Sequence, residues 1–295
     1  MNPVRNTGLN PVRDHRKVYV SNGIKMEVSN GVNRIEKAFK ELKAGRRKAF
    51  IAYITAGDPG LAATGKLVLE LERSGADIIE LGIPFSDPIA DGPTIQAASY
   101  RALSGGASLA KIFALVKRLR KETEIPLVFM TYYNPILKYG LGRFFASCKK
   151  AGADGVIVPD LPVEESGELV RLGKKTGVST IFLAAPTSTK DRIRKIVRCS
   201  SGFVYYVSST GVTGTRRSLP EDMIRNVCII RSMTAKPVAV GFGVSDAKQA
   251  AAVSRIADGV IVGSAIVKMI DRGRGSLAGV GRFALGLGKA IHGGK

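Results

Sequence analysis

The residues best suited to move protons are two carboxylates, Glu80 and Asp91, in the stretch Glu80-Leu81-Gly82-Ile83-Pro84-Phe85-Ser86-Asp87-Pro88-Ile89-Ala90-Asp91-Gly92-Pro93-Thr94-Ile95-Gln96. Glu80 closes the run Ala76-Asp77-Ile78-Ile79. An acid at the end of a buried strand is partly desolvated, which raises its pKa and suits it to trade protons near neutral pH. Asp91 lies in a loop stiffened by Pro84, Pro88 and Pro93, able to hold a second carboxylate facing the first. Spacing alone leaves two plainer uses open: Glu80 pairing with a basic side chain, and Asp91 capping a helix that starts near Thr94. The only histidines, His15 and His292, lie near the ends of the chain. Acid-base chemistry in its body therefore falls to carboxylates, Tyr, Lys or Cys.

A second constellation is rich in glycine: Ser208-Ser209-Thr210-Gly211-Val212-Thr213-Gly214, then Gly241-Phe242-Gly243, then Gly263-Ser264 at the start of a short helical segment. Glycines let backbone N–H groups close on an anion, and a helix N-terminus adds its dipole. Tight turns without a ligand are the alternative. Together the two constellations describe an enzyme that acts on a phosphorylated metabolite by carboxylate catalysis.

Such groups need a rigid frame. Short apolar runs recur at Phe50–Thr55, Ile78–Leu81, Leu127–Thr131, Val156–Val158, Thr180–Ala184, Phe203–Val207, Val238–Val240 and Val260–Val262, with helix-length amphipathic segments between nearly all of them. Continuous apolar strands are what a parallel sheet covered on both faces requires. Ala153-Asp154-Gly155-Val156-Ile157-Val158 recurs as Ala257-Asp258-Gly259-Val260-Ile261-Val262, in the fourth and eighth strands, half a barrel apart. The expected fold is α/β: a single (β/α)8 TIM barrel over residues 33–295, with an amphipathic helix (Ile35, Phe39, Leu42) before the first strand. In that fold, reactive groups sit at the C-terminal strand ends, and phosphate binds after the last two strands. Residues 1–32 carry two polar, turn-rich repeats, Asn2–Arg5 with Asn10–Arg13 and Val20–Gly23 with Val28–Gly31. They read as a flexible N-terminal extension.

Composition narrows the class. The chain has 295 residues, is 45% hydrophobic and 23% charged, and suits one large core. No run approaches the ~20 apolar residues that cross a bilayer. Arg5, Arg13, Arg16 and Lys17 precede no apolar stretch, so no secretory leader is expected. Cys148, Cys199 and Cys228 are odd in number and far apart, which suits reduced thiols in the cytoplasm better than disulfides or a metal site. The balance of 45 Lys and Arg against 24 Asp and Glu, net +21, raises polyanions as partners. The basic residues are scattered over helical segments without interleaved aromatics, however, which argues against a nucleic-acid groove.

At these residues the chain resembles the tryptophan synthase α chains. The stretch Glu80–Gln96 is similar to their signature, as are Tyr53-Ile54-Thr55-Ala56-Gly57-Asp58-Pro59, Val158-Pro159-Asp160-Leu161-Pro162-Val163-Glu164-Glu165, Gly211-Val212-Thr213-Gly214 and Gly241-Phe242-Gly243-Val244; the likeness runs from about Asn33 to Ile270. The resemblance implies cleavage of indole-3-glycerol phosphate to indole and glyceraldehyde 3-phosphate, a retro-aldol step needing no metal and no cofactor in this chain. By the same implication Glu80 is the general acid-base residue and Asp91 holds the indole N–H. Tyr53, Ile95, Tyr132, Tyr205, Thr213 and Phe242 line the substrate site, although core packing would serve each aromatic equally. Gly214, Gly243, Gly263 and Ser264 bind phosphate. The family works with a β chain carrying pyridoxal phosphate, in an α2β2 tetramer, and Asp58, Pro59, Asp87, Asn134 and Pro135 match positions near that interface. The loops holding Asp91 and Thr213 resemble mobile lids.

Ser209 departs from the pattern, standing where some members carry arginine; residues 1–32 have no recognised counterpart, and the strong positive charge is unusual and not explained by the resemblance. Rival barrels fit less well. A phosphosugar epimerase would present metal-binding histidines, and indoleglycerol-phosphate synthase a lysine at a strand end; Lys48, the only lysine beside a predicted strand, precedes it. An inactive barrel that only activates a partner or binds RNA stays open as an alternative.

Overall fold

In the computed structural model, residues 33–208, 219–241, 243–273 and 276–293 are described. Residues 1–32, expected to form an extension, lie outside them, as do Ser209, Thr213, Gly214 and Phe242.

The strands are β1 Ala49–Thr55, β2 Ile78–Gly82, β3 Leu127–Met130, β4 Gly155–Ile157, β5 Ser179–Ile181, β6 Leu183–Ala184, β7 Val204–Val207, β8 Val238–Gly241 and β9 Gly259–Val262. The helices are α1 Arg34–Ala44, α2 Leu61–Arg73, α3 Pro93–Ser104, α4 Leu109–Leu119, α5 Tyr133–Tyr139, α6 Leu141–Ala151, α7 Gly167–Thr176, α8 Lys190–Cys199, α9 Glu221–Ser232, α10 Ala247–Ser254, α11 Ser264–Arg272 and α12 Leu277–His292. All strand pairs are parallel, in the order β5-β4-β3-β2-β1-β9-β8-β7-β6. Only Phe182 separates β5 from β6, so the two are halves of one barrel strand. The first half pairs with β4 and the second with β7, and Tyr205 N–H donates to Phe182 O at 3.1 Å across the closure. The predicted eight-stranded barrel is therefore present, its fifth strand broken where it changes neighbours.

Strand alternation sorts the core into two shells. Ile51, Ile78, Val128, Ile157, Ile181, Ala239 and Ile261 fill the barrel interior, while Phe50, Ile54, Ile79, Leu81, Phe129 and Val156 pack outward with the helices. Helix α1 plugs the N-terminal end of the barrel. Asn33 caps it by accepting from Ile35 N–H at 2.9 Å, and its buried stripe Ile35, Phe39 and Leu42 joins the interior cluster. Full burial of side chains of this size contributes about 1.5–3 kcal/mol each.

The repeated Asp before strands has a role that the sequence pattern did not disclose. Asp77, Asp154 and Asp258 each accept a backbone N–H from a neighbouring strand: Phe50 at 2.8 Å, Leu127 at 2.8 Å and Val238 at 3.1 Å. Arg120 and Arg34 pair with Asp154, Lys48 and Arg231 pair with Asp258, and the His292 ring meets Asp77 through Nε2 at 2.8 Å. These bonds tie neighbouring strands together at the N-terminal face of the barrel. Among the described residues, no helix is long and apolar enough to cross a membrane.

Candidate active site

Glu80 lies on β2 beside Tyr53 of β1 and Val128 of β3 in register, fully buried. Neither carboxyl oxygen has a hydrogen-bond partner, so no basic group among the described residues pairs with it. Burial alone pushes its pKa from 4.5 up to about 8. A partnerless buried acid is costly to the fold, which makes its survival here a mark of chemistry more than of architecture.

Two tyrosines close over it. Tyr205 and Tyr53 are buried, their pKa values pushed up first by burial and then by nearby negative charge, Glu80 and Asp91 in both cases. The four groups thus share one space at the mouth. Room for the rings comes from glycines: a Cβ on Gly82 would stand 2.0 Å from the Tyr53 hydroxyl, and one on Gly241 2.6 Å from that of Tyr205. Sequence reasoning gave Gly82 no role of its own and read Gly241 as part of an anion-binding loop. The signal available was parity, since both occupy inward positions of a strand, where a missing side chain implies a bulky neighbour.

Asp91 reaches the mouth from the β2–α3 loop and is partly buried, its pKa raised by that burial and lowered again by a hydrogen bond from Tyr132. It does not cap α3, whose N-cap is Gly92 with no side-chain cap bond. The loop is pinned from both sides. Ala90 N–H donates to the Tyr132 hydroxyl at 2.9 Å, Gln96 Nε2 donates to Asp91 O at 2.9 Å, and the Phe85 ring lies 5.4 Å from that of Tyr132. Tyr132 is set in turn by Asp160, whose carboxylate accepts Tyr133 N–H at 2.9 Å at the start of α5. No local pattern could reveal that link, because its partners lie on successive loops. Ile95 packs with Tyr53 and with Val267 of α11 as a small cluster on the same side. The arrangement offers two carboxylates across an apolar, tyrosine-walled space, Glu80 wholly desolvated and Asp91 partly so with a hydrogen bond from Tyr132, which suits the first to trade a proton and the second to hold a polar N–H.

Across the mouth, Gly263 abuts Tyr53 and leads into α11, with exposed Ser264 at its first position. Gly243 has positive φ and open space around it. The backbone N–H groups of a helix start are thus available there for an anion. On the outer face, Asp87 and Asn134 are exposed and Pro135 half-buried, all lining one groove of about 450 Å³. Asp58 is different: it is buried in a two-pronged pair with Arg101 at 2.9 and 2.8 Å, leaving only Pro59 outward. Lys48, at the opposite end of the barrel, pairs with Asp258 at 3.5 Å. The three cysteines are free thiols.

A closed parallel barrel whose mouth holds a desolvated, unpaired glutamate facing a second carboxylate is a β/α-barrel enzyme with an acid-base site. A profile of the tryptophan synthase alpha chain family matches residues 39–284. The tryptophan synthase alpha chain of Geobacter sulfurreducens is 54% identical over 82% of this chain and 91% of that protein, and that of Geotalea daltonii 50% over the same shares. Among solved structures, tryptophan synthase subunit alpha from Legionella pneumophila superposes with TM-score 0.83 at 38% identity, covering 88% of this chain and 99% of that one. The chain belongs to the tryptophan synthase alpha chain family, lyases of tryptophan biosynthesis.

Proposed function

We propose that this chain splits indole-3-glycerol phosphate into indole and glyceraldehyde 3-phosphate, with Glu80 and Asp91 as its catalytic pair. The observation that carries the reading is the partnerless, buried carboxyl of Glu80, held near a pKa of 8 beside Tyr205, Tyr53 and Asp91. Protonated at neutral pH, Glu80 delivers its proton to indole C3 and forms the indolenine, while Asp91 accepts the ring N–H and offsets the growing positive charge. As a carboxylate, Glu80 then takes the proton of the glycerol hydroxyl next to the ring. The bond from that carbon to C3 breaks, its electron pair returns to the ring as indole, and the carbon becomes the aldehyde.

Ile95, Tyr132 and Phe242 hold the indole plane beside Tyr53 and Tyr205. Gly214, Gly243, Gly263 and Ser264 receive the phosphate, favoured by the dipole of α11. Thr213 belongs to a lid closing over the bound substrate. Indole passes to a β chain that carries pyridoxal phosphate, in an α2β2 assembly, and this chain needs no cofactor of its own. Three exposed apolar side chains support a docking face around Asp87, Asn134 and Pro135: Ile89 (84% exposed), Tyr100 (74%) and Leu137 (58%). Pro59 adds to it, and Asp58 contributes by fixing that turn through Arg101. The reaction takes place in the cytoplasm.

The test is indole release by wild type and Glu80→Gln, with and without a β chain. Activity that rises with β and falls at least a thousandfold in the variant supports the assignment. No indole from folded wild type with β present refutes it.

A further inference from the structure

The end of the barrel away from Glu80 carries a second cleft. Helix α1 stops in the hydrogen-bond pattern of a glycine C-cap: Arg47 N–H donates to Leu42 O at 2.8 Å and Arg46 N–H to Lys43 O at 3.1 Å. The residue that this pattern puts in the left-handed region is ordinarily glycine. Here it is Arg46, at φ +54°, the only non-glycine residue with positive φ among those described. An L side chain is strained there, so the fold gives up stability to keep a guanidinium at this point.

That guanidinium stands at a cleft of about 460 Å³ formed by the end of α1, the turn before β1 and the segment between α9 and β8. Six cations line it, Lys43, Arg46, Arg47, Lys48, Arg231 and Lys236, against one carboxylate, Asp258. Asp258 is already shared by Lys48 at 3.5 Å and Arg231 at 3.4 Å, and Lys236 Nζ donates to Val197 O at 2.6 Å. Lys43, Arg46 and Arg47 are exposed and have no carboxylate partner among the described residues. They are therefore free to turn toward an anion that enters the cleft, in an interaction that salt screens. Lys48 and Asp258 precede β1 and β9, whereas Glu80 and Gly263 sit toward the other ends of the strands, so the barrel's length separates this cleft from the substrate's phosphate.

We propose that the cleft is a second anion site, taking a linear oligophosphate, free or as the phosphate chain of a nucleoside triphosphate. A single phosphate offers too little charge for three unpartnered cations, whereas a chain of phosphates can reach Lys43, Arg46 and Arg47 together.

The full chain should be titrated calorimetrically with inorganic triphosphate and with ATP, with saturating glycerol 3-phosphate present to occupy the mouth. The expected result is saturable one-to-one binding that weakens with salt and falls at least tenfold in Arg46→Gly and in Arg47→Glu. Arg46→Gly adopts the same backbone without strain, so its Tm should rise as its affinity falls, and its indole release should be unchanged; lost binding with a raised Tm cannot be misfolding. Equal affinity for the two probes assigns recognition to the phosphates, and tighter ATP binding extends it to the nucleoside. Absence of saturable binding, unchanged affinity in both variants, or capture of RNA alone would overturn the proposal.

Discussion

Replacing Glu80 with glutamine should make the protein inactive and, at neutral to alkaline pH, more stable. In the unfolded chain this carboxyl releases its proton near 4.5, and in the fold only near 8. Between those values the native state binds the extra proton, so stability falls as pH rises through the window and is undiminished below it. Each tenfold difference in proton affinity between the two states corresponds to about 1.36 kcal/mol. The penalty therefore reaches about 3 kcal/mol by pH 7 and about 5 kcal/mol above pH 8 as upper bounds, because water entering the mouth relieves part of it. Glutamine has nearly the same shape and no titration, yet its amide inherits a site without hydrogen-bond partners. The net gain at pH 8 should therefore be about 1–3 kcal/mol. Urea unfolding of both proteins from pH 5 to pH 9 checks this: the difference should open with rising pH and shrink toward pH 5. A pH-independent difference, or a variant weaker at pH 8 than wild type, would show that the fold does not hold Glu80 desolvated.

Gly82→Ala puts a methyl 2.0 Å from the Tyr53 hydroxyl and 2.6 Å from its ring, so the ring must leave the mouth. Steady-state kinetics should show kcat/KM down at least tenfold, with about 1–3 kcal/mol of stability lost to overpacking. Arg120→Ala leaves Asp154 only Arg34 and the Leu127 N–H as partners, and it removes the donor to the carbonyls of Gly152 and Ile125; the three groups accept from Arg120 at 2.7, 2.8 and 2.7 Å. Thermal or urea unfolding should register a loss of about 3 kcal/mol, smaller at low pH where Asp154 takes up a proton. The pH dependence of indole release should not move, because this pair lies at the far end of the barrel.

The order of elements was legible because periodicity along a chain is a local property. Continuous apolar runs alternating with stripes such as Ile35, Phe39 and Leu42 specify strands covered on both faces and helices that cover them. Glu80 could be singled out because its place at the end of such a run fixes both its depth and its direction. Tertiary structure alone decided what meets it. Whether Glu80 is paired depends on every strand around the barrel, and whether Asp91 caps a helix or faces the mouth depends on Tyr132, held by Asp160 from the next loop. The inward glycines beneath Tyr53 and Tyr205, and the strained Arg46 among its fellow cations, have the same character. A chain carries such facts only as residues far apart, and desolvation, steric room and charge balance come into being when closure of the barrel brings them together.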